Sequence, residues 1–141
     1  MIQRKQTIWL LLASLTAFLL TIIPLYAATL SGEAIRKFMA TESLLLFVVA
    51  VVTALIGFIS IFLFKNRSLQ LKMSVVGLLL SLGFIALEVW KIDEFRQNNL
   101  SLKGTYYWGA LLPFLVALFY FLAAKYIRKD EKLLKSLNRL R

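Results

Sequence analysis

Between Ser43 and Phe64 the chain runs for 22 residues, SLLLFVVAVVTALIGFISIFLF, without one ionisable side chain. As a helix rising about 1.5 Å per residue it would be roughly 33 Å long, which matches a hydrocarbon core of about 30 Å. Hydrocarbon offers no water to an open N–H or C=O, so a segment crossing it has to bond internally as a helix. The rest of the chain cannot hide such a rod. It has 141 residues, 60% of them hydrophobic, whereas soluble domains sit at about 45–50% apolar. The surplus must face lipid, and the length fits one domain over 1–141.

Three further apolar runs accompany the first. They predict spans over about 7–26, 43–64, 69–90 and 105–126, with a basic tail over 127–141. The expected fold is all-α, an integral membrane four-helix bundle ending in a basic amphipathic cytoplasmic helix. Pro24 lies near the far end of the first run. A cleaved signal peptide is its rival reading, but the run exceeds an h-region of about 7–15 residues. Cleavage after Ala27 or Ala28 would also put Leu25 or Tyr26 at the −3 position, and neither is small. Ala27 to Glu42 reads as a mixed-charge loop, with Thr41 or Ser43 placed to cap the next helix. Lys65-Asn66-Arg67 is a tight basic turn, and Lys91 to Gly104 is a polar loop containing the formal sequon Asn99-Leu100-Ser101. Pro113 should kink the fourth span, because its ring removes the bond to Gly109.

Four spans place both termini on one side, and the basic residues say which. With the N-terminus inside, the two ends and the 65–72 region hold 12 of the 17 Lys and Arg residues. The outer loops hold the other five: Arg36, Lys37, Lys91, Arg96 and Lys103. That asymmetry predicts a multi-pass protein of the inner membrane with both termini cytoplasmic. The aromatics agree. Trp9 and Tyr126 fall at the inner interface; Tyr26, Trp90 and Tyr106-Tyr107-Trp108 fall at the outer one.

In lipid, helices associate by close approach at small residues. Each span carries a set of these at steps of three or four: Ser14, Ala17 and Thr21; Thr53, Gly57 and Ser60; Ser74, Gly77 and Ser81; Ala110, Pro113 and Ala117. Faces of this kind without amides or charges predict tight packing, with hydroxyls bonded to backbone, ahead of a polar pore. Glu88 is the one acid inside a span and so the candidate intramembrane or interfacial site, because ionisable groups at depth are costly. Its neighbour Trp90 puts it near the outer surface, where an i,i+3 pair with Lys91 is expected.

The tail has leucines at 133, 134, 137 and 140, one stripe of a helix. Arg128, Lys129, Lys132, Lys135, Arg139 and Arg141 surround it as a candidate lipid- or partner-binding surface. Anionic inner-leaflet lipid is the first expected partner. A membrane-protein partner or a second copy of the chain comes next. Nucleic acid is disfavoured, since basic charge in a membrane protein more often records anchoring.

At its ends the chain, with its opening Met1-Ile2-Gln3-Arg4 and its closing Ile127 to Leu134 and Asn138-Arg139-Leu140-Arg141, resembles a family of small four-span inner-membrane proteins from the Bacteroidota, a domain of unknown function. Lys5 stands where an apolar residue is expected and Asn138 where an acid is expected. The resemblance implies a bacterial inner membrane and transfers no catalytic residue.

Much chemistry is excluded by composition. Cysteine and histidine are absent, which removes disulfides, thiolate catalysis and imidazole-built metal sites. No Asp lies in an expected span and none of the six glycines forms a phosphate-cradling turn. The outer acids Glu33, Glu42, Asp93 and Glu94 alternate with bases and read as a solvated surface. No catalytic residue, cofactor or metal ligand is therefore expected. The reading is a non-enzymatic accessory or scaffold subunit of a membrane complex; the alternative is a small transporter or channel using Glu88 and the hydroxyl-bearing faces.

Overall fold

A computed structural model describes residues 3–29, 35–98 and 103–139. Four α-helices carry the fold: α1 (Gln3–Leu19), α2 (Leu44–Phe62), α3 (Arg67–Asn98) and α4 (Leu112–Arg139). They pack in a cycle, α1 on α2 and α4, and α3 on α2 and α4. Among the described residues three helical segments are long and apolar enough to cross a membrane: Leu44–Lys65, Arg67–Asn98 and Trp108–Leu133. Their outer faces are covered with large exposed apolar side chains such as Leu55, Phe58, Leu79, Leu118 and Phe121.

The first helix is shorter than the expected 7–26. It has 17 residues and gives way to a turn at Leu20–Ile22. Pro24 explains the stop: it cannot donate a helix bond, and it drives Ile23 out of helical geometry. Leu25 N–H donates to Phe38 O at 2.9 Å, and Tyr107 N–H donates to Leu25 O at 3.0 Å, so the extended backbone is satisfied.

Beyond that point lies an element that the sequence reading missed. Three short strands, β1 (Tyr26–Thr29), β2 (Ile35–Phe38) and β3 (Lys103–Tyr106), form an antiparallel sheet in the order β2-β1-β3. The segments expected to be loops, 27–42 and 91–104, are therefore partly strand, and the second is partly helix as well. In register, Tyr26 stands opposite both Phe38 and Tyr106. The sequon 99–101 and Glu33 lie outside the described residues.

Helix α3 does not end at Trp90. It runs 32 residues to Asn98, about 48 Å, well beyond a hydrocarbon core of about 30 Å. The extra turns place the buried side chains Ile92 and Phe95 against the sheet end. Phe95 lies 5.0 Å from the Phe38 ring and meets Tyr26 edge-on at 6.5 Å. At the other end, Asn66 joins α2 to α3 as a tight turn. Its Oδ1 accepts from Leu69 N–H at 3.3 Å, capping α3. Ser43 stands at the N-cap of α2 without a side-chain cap bond.

The fourth span also starts later than expected. Lys103–Tyr106 is strand, Trp108–Leu111 is a 3-10 turn, and α4 begins at Leu112. Pro113 is thus the second residue of α4 and makes no mid-helix kink. In the first turn its missing N–H has no helical partner to lose.

Candidate functional site

The small-residue faces of α2 and α3 converge on one side chain. Tyr120 of α4 is completely buried, and its hydroxyl donates to Thr53 O on α2 at 2.5 Å. Space for the ring comes from two glycines. A Cβ at Gly77 of α3 would fall on the Tyr120 ring, and one at Gly57 of α2 would meet both Tyr120 and Ser14 of α1. All four helices therefore close on Tyr120. The hydroxyls around it bond to their own helices: Thr53 to Val49 O at 2.7 Å, Ser60 to Ile56 O at 2.6 Å, Ser74 to Gln70 O at 2.9 Å and Ser81 to Leu78 O at 2.7 Å.

One expectation about these faces needs correcting. An amide does share the α3 face, because Gln70 is buried one turn before Ser74 and donates to Ser60 O at 3.0 Å. Gln70, Ser74, Gly77, Ser81, Phe84 and Glu88 form one buried stripe in steps of four and three. Extending the small-residue spacing by one turn back to Gln70 and two turns on to Glu88 finds both polar members.

Glu88 is not the interfacial partner of Lys91. It is 3% exposed, and Lys91 Nζ instead binds Glu94 Oε2 at 2.7 Å and lies over the Trp90 ring at 5.1 Å. The cause is the continuation of α3, which gives Lys91 a hydrated carboxylate on the next turn while Glu88 stays on the packed face. Among the described residues Glu88 Oε1 has no hydrogen-bond partner. The side chain lines a cleft of about 500 Å³ between α3 and the start of α4. Ile85 and Val89 flank it on one wall, and Tyr107, Trp108 and Phe114 face it from the other.

A second cleft of about 540 Å³ lies at the sheet end, where Arg36, Glu42, Lys91 and Glu94 meet. Arg36 reaches Glu42 at 3.7 Å and Lys91 reaches Glu94, so these charges are paired and partly hydrated. Among the described residues no group of three or more carboxylates could hold a metal ion.

The tail continues α4, which runs unbroken for 28 residues to Arg139. Arg128, Lys129 and Lys132 are exposed on it, as is Leu133. The side chains of Leu134, Lys135, Leu137 and Arg139 lie outside those described, and Leu140 and Arg141 lie outside the described residues. Sequence reasoning passed over Asp130, which is buried at 4% exposure and accepts a hydrogen bond from Gln6 Nε2 of α1. Gln6 also reaches Tyr126 O at 3.4 Å, and Trp9 stacks on Tyr126 at 6.4 Å. The start of α1 is thereby tied to the extension of α4, at the end of the molecule opposite the sheet.

No curated protein matches the chain, and no solved structure does. A family profile described as a domain of unknown function, DUF4293, matches residues 2–140. With its whole helical body inside that match, the chain belongs to the DUF4293 family.

Proposed function

We propose that this chain is a four-span bundle of a bacterial inner membrane, of Bacteroidota type, with both termini cytoplasmic, serving as a non-enzymatic accessory or scaffold subunit. The fourth traversal is that of α1. Gln6 meets Asp130 at one end, and β1 pairs with β2 and β3 at the other. The stretch from Gln6 to Tyr26 thus rises as far as the stretch from Tyr106 to Asp130. A 17-residue helix supplies about 25 Å, and extended residues add about 3.3 Å each. Helix length alone undercounts this span.

The observation that carries the accessory role is Tyr120. Its ring occupies the junction of all four helices, and the surrounding hydroxyls are engaged with backbone. A solute path along the bundle axis would need both to be undone. The basic helical extension of α4 supports presentation of a partner-binding surface at the cytoplasmic face, beside anionic lipid headgroups.

Purification in a mild detergent, compared for the wild-type chain and a chain in which the exposed Arg128, Lys129 and Lys132 are each replaced by Gln, tests this reading. A stoichiometric partner held by the first and lost by the second is the expected result. Saturable solute flux by the chain alone in proteoliposomes would contradict it and favour a transporter.

A further inference from the structure

We propose that the Glu88 cleft is a binding site for a membrane-dissolved amphiphile with a single ammonium head, whose charge is met by the Glu88 carboxylate. The argument is independent of the accessory role and begins with the unpartnered acid. Glu88 is 3% exposed and its Oε1 lacks a partner among the described residues. Burying an unpaired carboxylate is costly, so a packed helix face that keeps one calls for a cation or donor. Lys91, the base three residues on in α3, is held by Glu94 at 2.7 Å and by the Trp90 ring. Among the described residues the cleft walls supply no counter-charge of their own.

The walls say what kind of cation fits. Tyr106, Tyr107 and Trp108 line the cleft above Glu88, and aromatic faces attract ammonium groups through their quadrupoles. Tyr107 already shows that preference on the protein's own side, with Lys37 Nζ 5.8 Å from its ring centre. The remaining wall is aliphatic or phenyl. Val89, Leu111 and Phe114 are each more than half exposed, facing outward on the apolar helix surface. A hydrocarbon tail can therefore enter from the lipid side while the head reaches Glu88. Among the described residues no Lys or Arg lines the cleft, so a phosphate or carboxylate beside the ammonium would find no counter-charge on its walls. That selects a singly charged cationic amphiphile over a zwitterionic phospholipid. The volume of about 500 Å³ suits an amine head with part of its chain.

The test uses the full chain in a neutral maltoside detergent, titrated calorimetrically with dodecylammonium, dodecanol and dodecylphosphoethanolamine. Saturable one-to-one binding of dodecylammonium is expected, weakened about tenfold or more by Glu88→Gln, the loss of one charge-assisted bond. Leu111→Trp, which fills the cleft from its exposed wall and leaves the core untouched, should weaken binding to a similar extent. It decides the matter if the Glu88 variant does not fold. Dodecanol and dodecylphosphoethanolamine should bind far more weakly, and equally to wild type and Glu88→Gln. Equal dodecylammonium affinity in wild type and the folded variants would overturn the site. Affinity for either control equal to that for dodecylammonium would overturn the assignment of its ligand.

Discussion

The hydroxyl of Tyr120 on α4 donates to the carbonyl oxygen of Thr53 on α2 at 2.5 Å, in a position closed to solvent and lipid. The bond fixes the height of α4 against α2, and the ring beneath it fills the room left by Gly57 and Gly77. Tyr120→Phe keeps the ring and removes only the bond. It should lower stability by about 1 kcal/mol, read as a shift in the melting transition in detergent. Tyr120→Ala empties the junction as well and should cost about 3–5 kcal/mol, as for other aromatic truncations in a packed core.

Two glycines of α3 should respond in opposite ways. A Cβ at Gly77 falls on the Tyr120 ring, whereas one at Gly83 meets nothing within 4 Å. Gly77→Ala should therefore destabilise by about 1–3 kcal/mol through overpacking. Gly83→Ala, on an exposed face, should be neutral or stabilise by up to about 1 kcal/mol through helix propensity. Comparison of the two melting curves checks both.

At the opposite end from the sheet, Gln6 and Asp130 hold α1 to α4. Removing either leaves a buried polar group with a poorer partner, so Asp130→Ala and Gln6→Ala should each cost about 1–3 kcal/mol. The double variant should cost less than the sum, with a coupling of about 0.5–3 kcal/mol in a double-mutant cycle. Simple additivity would remove this contact from the account.

The sheet end offers a third glycine. Gly109 lies against the backbone of Pro24, and a Cβ there would strike the Pro24 carbonyl. Backbone cannot swing aside as a side chain can, so Gly109→Ala should separate the start of α4 from the α1–β1 connection. The expected loss is about 1–3 kcal/mol, with faster proteolysis near residues 20–26 as its local sign.

Much of this architecture is legible in the sequence, and what is hidden is hidden for physical reasons. The α2 span and the Asn66 turn follow from an uncharged run that ends in a basic pair. The small-residue faces of α2 and α3 follow from their spacing, and Thr53, Gly57 and Ser60 with Ser74, Gly77 and Ser81 are all buried. On α1 and α4 the spacing misleads: Ser14, Thr21, Ala110 and Ala117 are only half-buried, and the packed faces are Leu10, Ala13 and Ala17 on α1 and Val116, Tyr120 and Ala123 on α4. The strands leave almost no pattern. YAAT, IRKF and KGTY are four residues each, too short to show alternation, and they are paired by contacts distant in the chain. Helix α3 is cut short in a hydropathy reading because its last turns are polar. They are held by Ile92 and Phe95 packing at the sheet end, a tertiary cause. The burial of Glu88 is hidden for the same reason: Trp90 marks no end of the helix, and the spacing of Glu88 from Ser81 and Phe84, not its nearness to Lys91, gives its face.

In the proposed arrangement α1 crosses together with the three longer helices, so that the sheet stands on one side of the membrane and the Asn66 turn and both helical ends stand on the other. Because the chain has no cysteine, single substitutions at Gln3, Thr29, Asn66, Asn98 and Ser136 each supply the one thiol for labelling with a membrane-impermeant maleimide in intact spheroplasts. Labelling at Thr29 and Asn98, with Gln3, Asn66 and Ser136 protected until the membrane is opened, is the predicted result. Gln3 and Thr29 labelled alike, whether both exposed or both protected, would contradict it.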